Sequence, residues 1–143
     1  HRLIRRQRQM CIRDSYNLVH RDVEKTIWPY LKENHIQFVP YFPLASGLLT
    51  GKYTAQDTTQ FSEWSTESFE VIINNLKKIK PISEKHQATI AQTVVAWYIA
   101  NPEISAVIPG TRLPEQVANN VAALKVPLSP QEYQTIDQLF GQF

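Results

Sequence analysis

The chain has 143 residues, 43% hydrophobic and 20% charged, with 15 basic and 13 acidic side chains. That is enough for one ordinary domain with an apolar core, and no apolar run approaches the roughly 20 residues that cross a bilayer. A single cysteine, Cys11, excludes an internal disulfide and fits a reducing compartment, so a globular cytoplasmic protein is expected. The formal charge of +2 is uneven. Removing residues 1–15, with five arginines and one aspartate, leaves 10 basic and 12 acidic residues, a body at −2. A basic arm on an acidic body is one signature of a nucleic-acid or membrane contact. Here the run Met10-Cys11-Ile12-Arg13-Asp14-Ser15 matches the translation of a transposase adapter used to prepare DNA for sequencing. Residues 1–15 are therefore expected to be a non-native extension. No role is assigned to Cys11 or to those arginines, and no nucleic-acid or membrane partner is expected.

Residues 16–19 read as a brief extended or loop piece. Residues 22–34 read as a helix, with Val23, Ile27, Tyr30 and Leu31 at helical spacing, and Pro29 predicts a kink or an early end. Residues 36–41 are short, apolar and without clean alternation, which suits a parallel strand covered on both faces. A loop over 43–53 follows, with Gly47 and Gly51 as permissive points. Residues 54–65 are polar and irregular. A helix is predicted over 66–86, its face built from Phe69, Ile72, Ile73, Leu76 and Ile79, with Pro81 as an interruption. Thr89-Ile90-Ala91-Gln92 is a capping box opening a second helix over 90–100, which Asn101-Pro102 stops. A strand over 106–108 and a helix over 114–124 come next. Ser129-Pro130-Gln131-Glu132 is another capping box with proline at the first helical position. The alternation is α/β, but two or three parallel strands neither bury both faces nor close a barrel. The chain is expected to be part of a larger α/β domain.

Residues 106–120 read A-V-I-P-G-T-R-L-P-E-Q-V-A-N-N. A strand, a tight turn, a helix N-terminus and a guanidinium together describe an anion site. From this segment alone, a plain β–α connection with a solvated Arg112 explains the residues better. His20, His35 and His86 lack metal-ligand spacing, so no metal is expected.

Three blocks then line up in order. They are Tyr16-Asn17-Leu18-Val19-His20-Arg21, the run Pro40-Tyr41-Phe42-Pro43-Leu44-Ala45-Ser46-Gly47-Leu48-Leu49-Thr50-Gly51-Lys52-Tyr53, and residues 108–120 with Ile108-Pro109-Gly110-Thr111-Arg112. Together they resemble the C-terminal half of an aldo-keto reductase of bacterial type. The resemblance covers residues 16 to about 139. It implies the C-terminal part of a (β/α)8 TIM barrel, an incomplete barrel over 16–143, with strand seven at 36–41 and strand eight at 106–108. It also implies NADPH as cofactor and a small aldehyde or ketone reduced to an alcohol. Barrel ligands bind at the C-terminal ends of strands, and phosphate sites favour the loops after strands seven and eight.

Roles follow from the resemblance position by position. Tyr41 resembles the aromatic that stacks on the nicotinamide, and Phe42 and Pro43 belong to the same cofactor-binding run. Leu44, Ser46 and Gly47 resemble the loop around the pyrophosphate. Gly110, Thr111, Arg112 and Gln116 resemble the 2′-phosphate site, and Asn119 and Asn120 resemble adenine contacts. Lys52 reads as a solvated loop lysine. The family's catalytic tyrosine, lysine, aspartate and histidine lie upstream of the matching region, and Arg13 stands where a carboxamide-binding glutamine is common. The chain is therefore expected to be a fragment that carries no catalytic residue, turns over no substrate alone, and exposes apolar strand faces that favour aggregation. An NADP(H)-binding interaction module like the potassium-channel β subunits is the alternative, with a basic-arm nucleic-acid binder behind it.

Overall fold

The structure is a computed structural model and describes residues 11–143. Strand β1 (Cys11–Ser15) runs parallel to β2 (Gln37–Tyr41), with Ile12 opposite Phe38 and Asp14 opposite Pro40. Cys11–Ser15, within the segment expected to be a non-native extension, supplies one of the two strands. The expectation for residues 1–10 lies outside the described residues. Between the strands stand helices α1 (Val23–Thr26) and α2 (Trp28–Glu33), so the unit is a βαβ crossover. The helix predicted over 22–34 breaks at Ile27, where φ is −112°. Pro29 falls in the first turn of α2, where its missing N–H is no loss.

Two expectations about the sheet are corrected. Strand β2 alternates cleanly: Phe38 and Pro40 are buried, Gln37 and Tyr41 exposed. Only one of its faces is covered, because the described helices pack on the side that Phe38 occupies. The strand predicted over 106–108 does not form. Its pairing shrinks to one parallel bridge between Phe38 and Ile104, and the Ser105 N–H donates to the Phe38 carbonyl at 2.9 Å. Beyond Ser105, Ala106 and Ile108 are exposed, and without a ladder an apolar tripeptide has nothing to keep it extended.

Four longer helices follow: α3 (Thr66–Lys85), α4 (Ile90–Ala100), α5 (Pro114–Ala122) and α6 (Pro130–Leu139). Helix α3 runs through Pro81 rather than stopping there. Pro81 and Lys77, the residue whose carbonyl it leaves unbonded, are both exposed, so water replaces the lost bond while Phe69, Ile72, Leu76 and Ile79 stay buried. Both predicted capping boxes form. Thr89 accepts the Gln92 N–H at 3.1 Å while Gln92 accepts the Thr89 N–H at 2.8 Å. Ser129 and Glu132 do the same at 3.2 and 2.9 Å.

The core is aromatic and centred on Tyr16. Its ring lies 5.2 Å from Trp28, 5.8 Å from Phe38 and 6.1 Å from both Trp97 and Tyr98. Each fully buried ring contributes on the order of 2–3 kcal/mol by desolvation, with edge-to-face geometry adding to it. Around this knot Arg21, only 9% exposed, ties distant elements together. It donates to Glu24 at 2.7 Å, to the Asp137 carboxylate at 2.7 Å and to the Asp137 carbonyl at 3.1 Å, and its guanidinium lies 5.5 Å from the Trp97 ring centre. Helix α6 is thereby fastened to the turn after β1.

Arg21→Ala removes the guanidinium from two carboxylates, of which Glu24 keeps the Tyr16 hydroxyl at 2.7 Å, so urea denaturation should show a loss of roughly 2 kcal/mol. A second measurement concerns acid. Lys85 first, then the Ser129 N–H and His86, hold the Glu132 carboxyl down to about 2. Its folded value lies below its ordinary value of 4.5, so the stabilisation is complete above that value and is lost as pH falls towards about 2. Lys85 is largely exposed, so salt should weaken the effect. The stability gap between the natural chain and Glu132→Gln should therefore shrink steadily as pH is lowered through that window.

Candidate functional site

The first candidate loop leaves the C-terminal end of β2. Tyr41 closes the strand with 44% of its surface exposed, so it is a surface aromatic and not a core tyrosine. The backbone then enters the left-handed region at Phe42 (φ +67°), Ala45 (+45°), Ser46 (+54°) and Gly47 (+89°). For the three non-glycine residues this costs roughly 1–3 kcal/mol each, a concentration of strain found at ligand-binding loops. The strain folds 42–53 into a tight curl containing the 3-10 turn Ala45–Thr50. Within it, the Gly47 N–H donates to the Leu44 carbonyl at 2.8 Å and the Thr50 hydroxyl to the Gly47 carbonyl at 2.6 Å. Pro43 is buried and Leu44 half-buried, whereas the Ser46 hydroxyl is at the surface.

Lys52 is exposed, as the sequence reading of a solvated loop lysine expects, and its side chain returns over this curl. A side chain at Gly47 would meet Lys52 Nζ at 3.6 Å, and that ammonium lies 4.7 Å from the centre of the Tyr53 ring. A cation therefore borders the bare backbone at Gly47. The five-residue return from Gly47 to Lys52 is the only sequence signal for this, and it means little until the left-handed backbone closes the curl.

The second candidate loop follows the bridge at Ile104. Ile108, Gly110, Thr111 and Arg112 are all exposed, and a side chain at Gly110 would meet nothing within 4 Å. Gln116 caps α5: its Oε1 accepts the N–H of Arg112 at 2.7 Å and of Leu113 at 3.2 Å. Its carboxamide oxygen is thus committed to the backbone, leaving its amide nitrogen as the donor for a ligand. Among the described residues the arginine of this loop enters no ion pair. Asn119 meets the Gln92 amide nitrogen through its carbonyl (3.3 Å) and its Oδ1 (3.4 Å). Asn120 instead borders a cleft of about 340 Å³ between α4 and α5, lined by Tyr98 and Val121 among others.

The N-terminus of α4 sits between the two loops. Gly51, at φ +78°, ends the first curl so close to Ile90 that an added Cβ would lie 2.6 Å from Ile90 Cδ1. Two residues further on, Gln92 reaches Asn119 on α5. Because β2 and the Ile104 segment run parallel, both loops leave at the same end of the pairing. The arrangement offers two cations, a surface hydroxyl, bare glycine backbone and a flat exposed ring, a donor set suited to a polyanion with an aromatic head. Among the described residues no three His, Cys, Asp or Glu side chains cluster to hold a metal, and no helix is long and apolar enough to cross a membrane.

Comparison with known proteins agrees with this architecture. A family profile described as the aldo/keto reductase family matches residues 7–140. The chain is 31% identical to the NADH-specific methylglyoxal reductase of Escherichia coli (strain K12), over 82% of this chain and 38% of that protein. It is 34% identical to a probable voltage-gated potassium channel subunit beta of Arabidopsis thaliana, over 78% of this chain and 37% of that protein. The fold matches the glycerol dehydrogenase AKR11B4 of Gluconobacter oxydans with a TM-score of 0.72 at 23% identity, over 92% of this chain and 42% of that one. It also matches a mutant of Gox0644 in complex with NADPH, with a TM-score of 0.63 at 20% identity, over 91% of this chain and 38% of that one. The chain thus spans about two-fifths of the length of each of these proteins. A family match over residues 7–140 means that this chain belongs to the aldo/keto reductase family.

Proposed function

We propose that this chain is the cofactor-holding part of an NADPH-dependent oxidoreductase that reduces a small aldehyde or ketone to an alcohol. The observation that carries this reading is the pairing of a strained, lysine-bordered curl after β2 with an exposed arginine loop after Ile104, both at one end of a parallel pairing. In this reading β2 is the seventh strand of a (β/α)8 barrel, and the Ile104 segment stands at the eighth.

The residues present fit the dinucleotide. It carries a pyrophosphate and a separate 2′-phosphate, and the chain offers separate cations: Lys52 beside Gly47, and Arg112 on the second loop. Gly47, with Ser46 and Leu44 before it, gives the pyrophosphate close access to backbone and a hydroxyl. Tyr41 presents a flat exposed ring to the nicotinamide, with Phe42 and Pro43 turning the chain behind it. Gly110, Thr111 and the Gln116 amide nitrogen assist Arg112, whose planar fork suits a phosphate dianion. Asn119 and Asn120 stand on α5 for the adenine. When bound, NADPH supplies the hydride, and this chain orients it. No residue of the chain is assigned as proton donor, so reduction requires residues outside it. The potassium-channel subunit relatives keep a second reading open, in which the same cofactor site serves an interaction module.

Two measurements test the proposal. Arg112→Ala should weaken NADPH binding by about tenfold to a hundredfold in fluorescence titration while barely changing NADH binding; equal losses would show that Arg112 does not read the 2′-phosphate. The purified 143-residue chain should give no NADPH-dependent reduction of simple aldehydes, and turnover would place the proton donor within it.

A further inference from the structure

Among the described residues, Phe42 is one of five non-glycine residues with a left-handed backbone. It has φ +67°, it is bulky, and it precedes Pro43, whose ring disfavours anything but an extended conformation before it. The loop that begins there is left-handed again at Ala45, Ser46 and Gly47. Such a shape persists only if its surroundings over-determine it.

Two buried side chains do so. The Asn17 amide nitrogen donates to the Phe42 carbonyl at 3.3 Å, and the Tyr98 hydroxyl donates to the next carbonyl, that of Pro43, at 2.7 Å. Both donor residues are fully buried. The Tyr98–Pro43 bond is itself buried, where a hydrogen bond is strongest and an unpaired carbonyl most costly, whereas the Phe42 carbonyl is part-buried and also accepts the Ala45 N–H at 3.1 Å. Each donor is itself fixed. Asn17 Oδ1 accepts the Val19 N–H at 3.0 Å, and the Asn17 backbone exchanges two bonds with His20 at 3.0 and 3.1 Å. The Tyr98 ring is wedged 5.1 Å from Trp97 and 6.1 Å from Tyr16. Burial pushes the Tyr98 phenol well above its ordinary range, so it remains a donor at any physiological pH.

We infer that Tyr98 and Asn17 are positioning residues that lock the 42–47 loop in its cofactor-binding shape by gripping two consecutive carbonyls. The inference rests on the reading of this loop as the pyrophosphate cradle, and neither residue touches the cofactor. The aromatic core thereby gains a second role, because α4 sets the loop as well as burying apolar surface.

The test uses the full 143-residue chain, Tyr98→Phe, which keeps the ring, and Thr93→Val as a control. Thr93 lies on the same helix, is equally buried, and bonds Ser83 Oγ at 2.8 Å away from the loop. Two probes are titrated: NADPH, which spans both loops, and adenosine 2′,5′-bisphosphate, which carries the 2′-phosphate without the pyrophosphate bridge. Amide exchange is followed at Gly47 and Leu49, which bond the Leu44 carbonyl. In Tyr98→Phe, NADPH binding should weaken about tenfold, bisphosphate binding should change by less than about twofold, and exchange at Gly47 and Leu49 should quicken about tenfold relative to α3. Thr93→Val should lower the melting temperature and leave all three readouts unchanged. The inference is overturned if Tyr98→Phe binds NADPH as the natural chain does, if both probes weaken together, or if Thr93→Val reproduces the effect. Should the natural chain bind neither probe, the cofactor reading fails. The exchange rates then decide alone: faster loop exchange in Tyr98→Phe sustains the lock, and unchanged exchange removes it.

Discussion

Everything at the candidate site depends on parallel pairing at Phe38. This residue pairs with Ile12 on one side and bridges Ile104 on the other, and its ring packs beneath Tyr16 and Trp28. Parallel strands place their C-terminal ends on the same side, so the loops after them share one mouth. An antiparallel arrangement of the same segments would send those loops to opposite ends and separate Lys52 from Arg112. The buried ring of Phe38 also fixes register: a slip of one residue would turn Gln37 inward and Phe38 to solvent.

The free energy of the fold is unevenly spread. The aromatic knot of Tyr16, Phe38, Trp97 and Tyr98, with the Arg21 clamp, concentrates burial and charge-assisted bonding beneath the first loop. The loop itself holds a run of left-handed residues that would relax if unsupported. Rigid support beneath and strain above is the usual division between a scaffold and the binding backbone it presents. Helix α5 contrasts with this. None of its residues is buried, and Val117 and Val121, with Leu113 at its N-cap, form an exposed apolar stripe at helical spacing. Its side-chain attachment comes through Asn119, which meets Gln92 on α4, and through the chain on either side, so the second loop is held far more lightly than the first.

Much of this is legible in the sequence where the physics is local. The capping boxes at Thr89 and Ser129 form as their residues predict, because a hydroxyl three residues before a glutamine or glutamate satisfies backbone donors without distant help. The apolar face of α3 is as its spacing implies. Gly47 and Gly51 mark left-handed turns. The family resemblance, carried by residues 40–53 and 108–120, is supported by the match over 7–140. Where local signals compete with packing, the fold departs from them. Pro81 does not stop α3, because its exposed position lets water replace the lost bond. The break expected near Pro29 occurs at Ile27, and Pro29 itself sits in the first turn of α2. The strand expected at 106–108 is missing, since extended backbone needs a neighbour and only Ile104 finds one.

The sequence by itself determined the long helices, their capping boxes and the two glycine-marked turns. These follow from propensities and side-chain chemistry acting over three or four residues. The tertiary structure alone decided that Cys11–Ser15 pairs with β2, that Lys52 lies against Gly47, and that Tyr98 reaches Pro43 across 55 residues of chain. Those contacts depend on where parallel pairing and a buried aromatic core bring distant segments together, and no local rule encodes that distance.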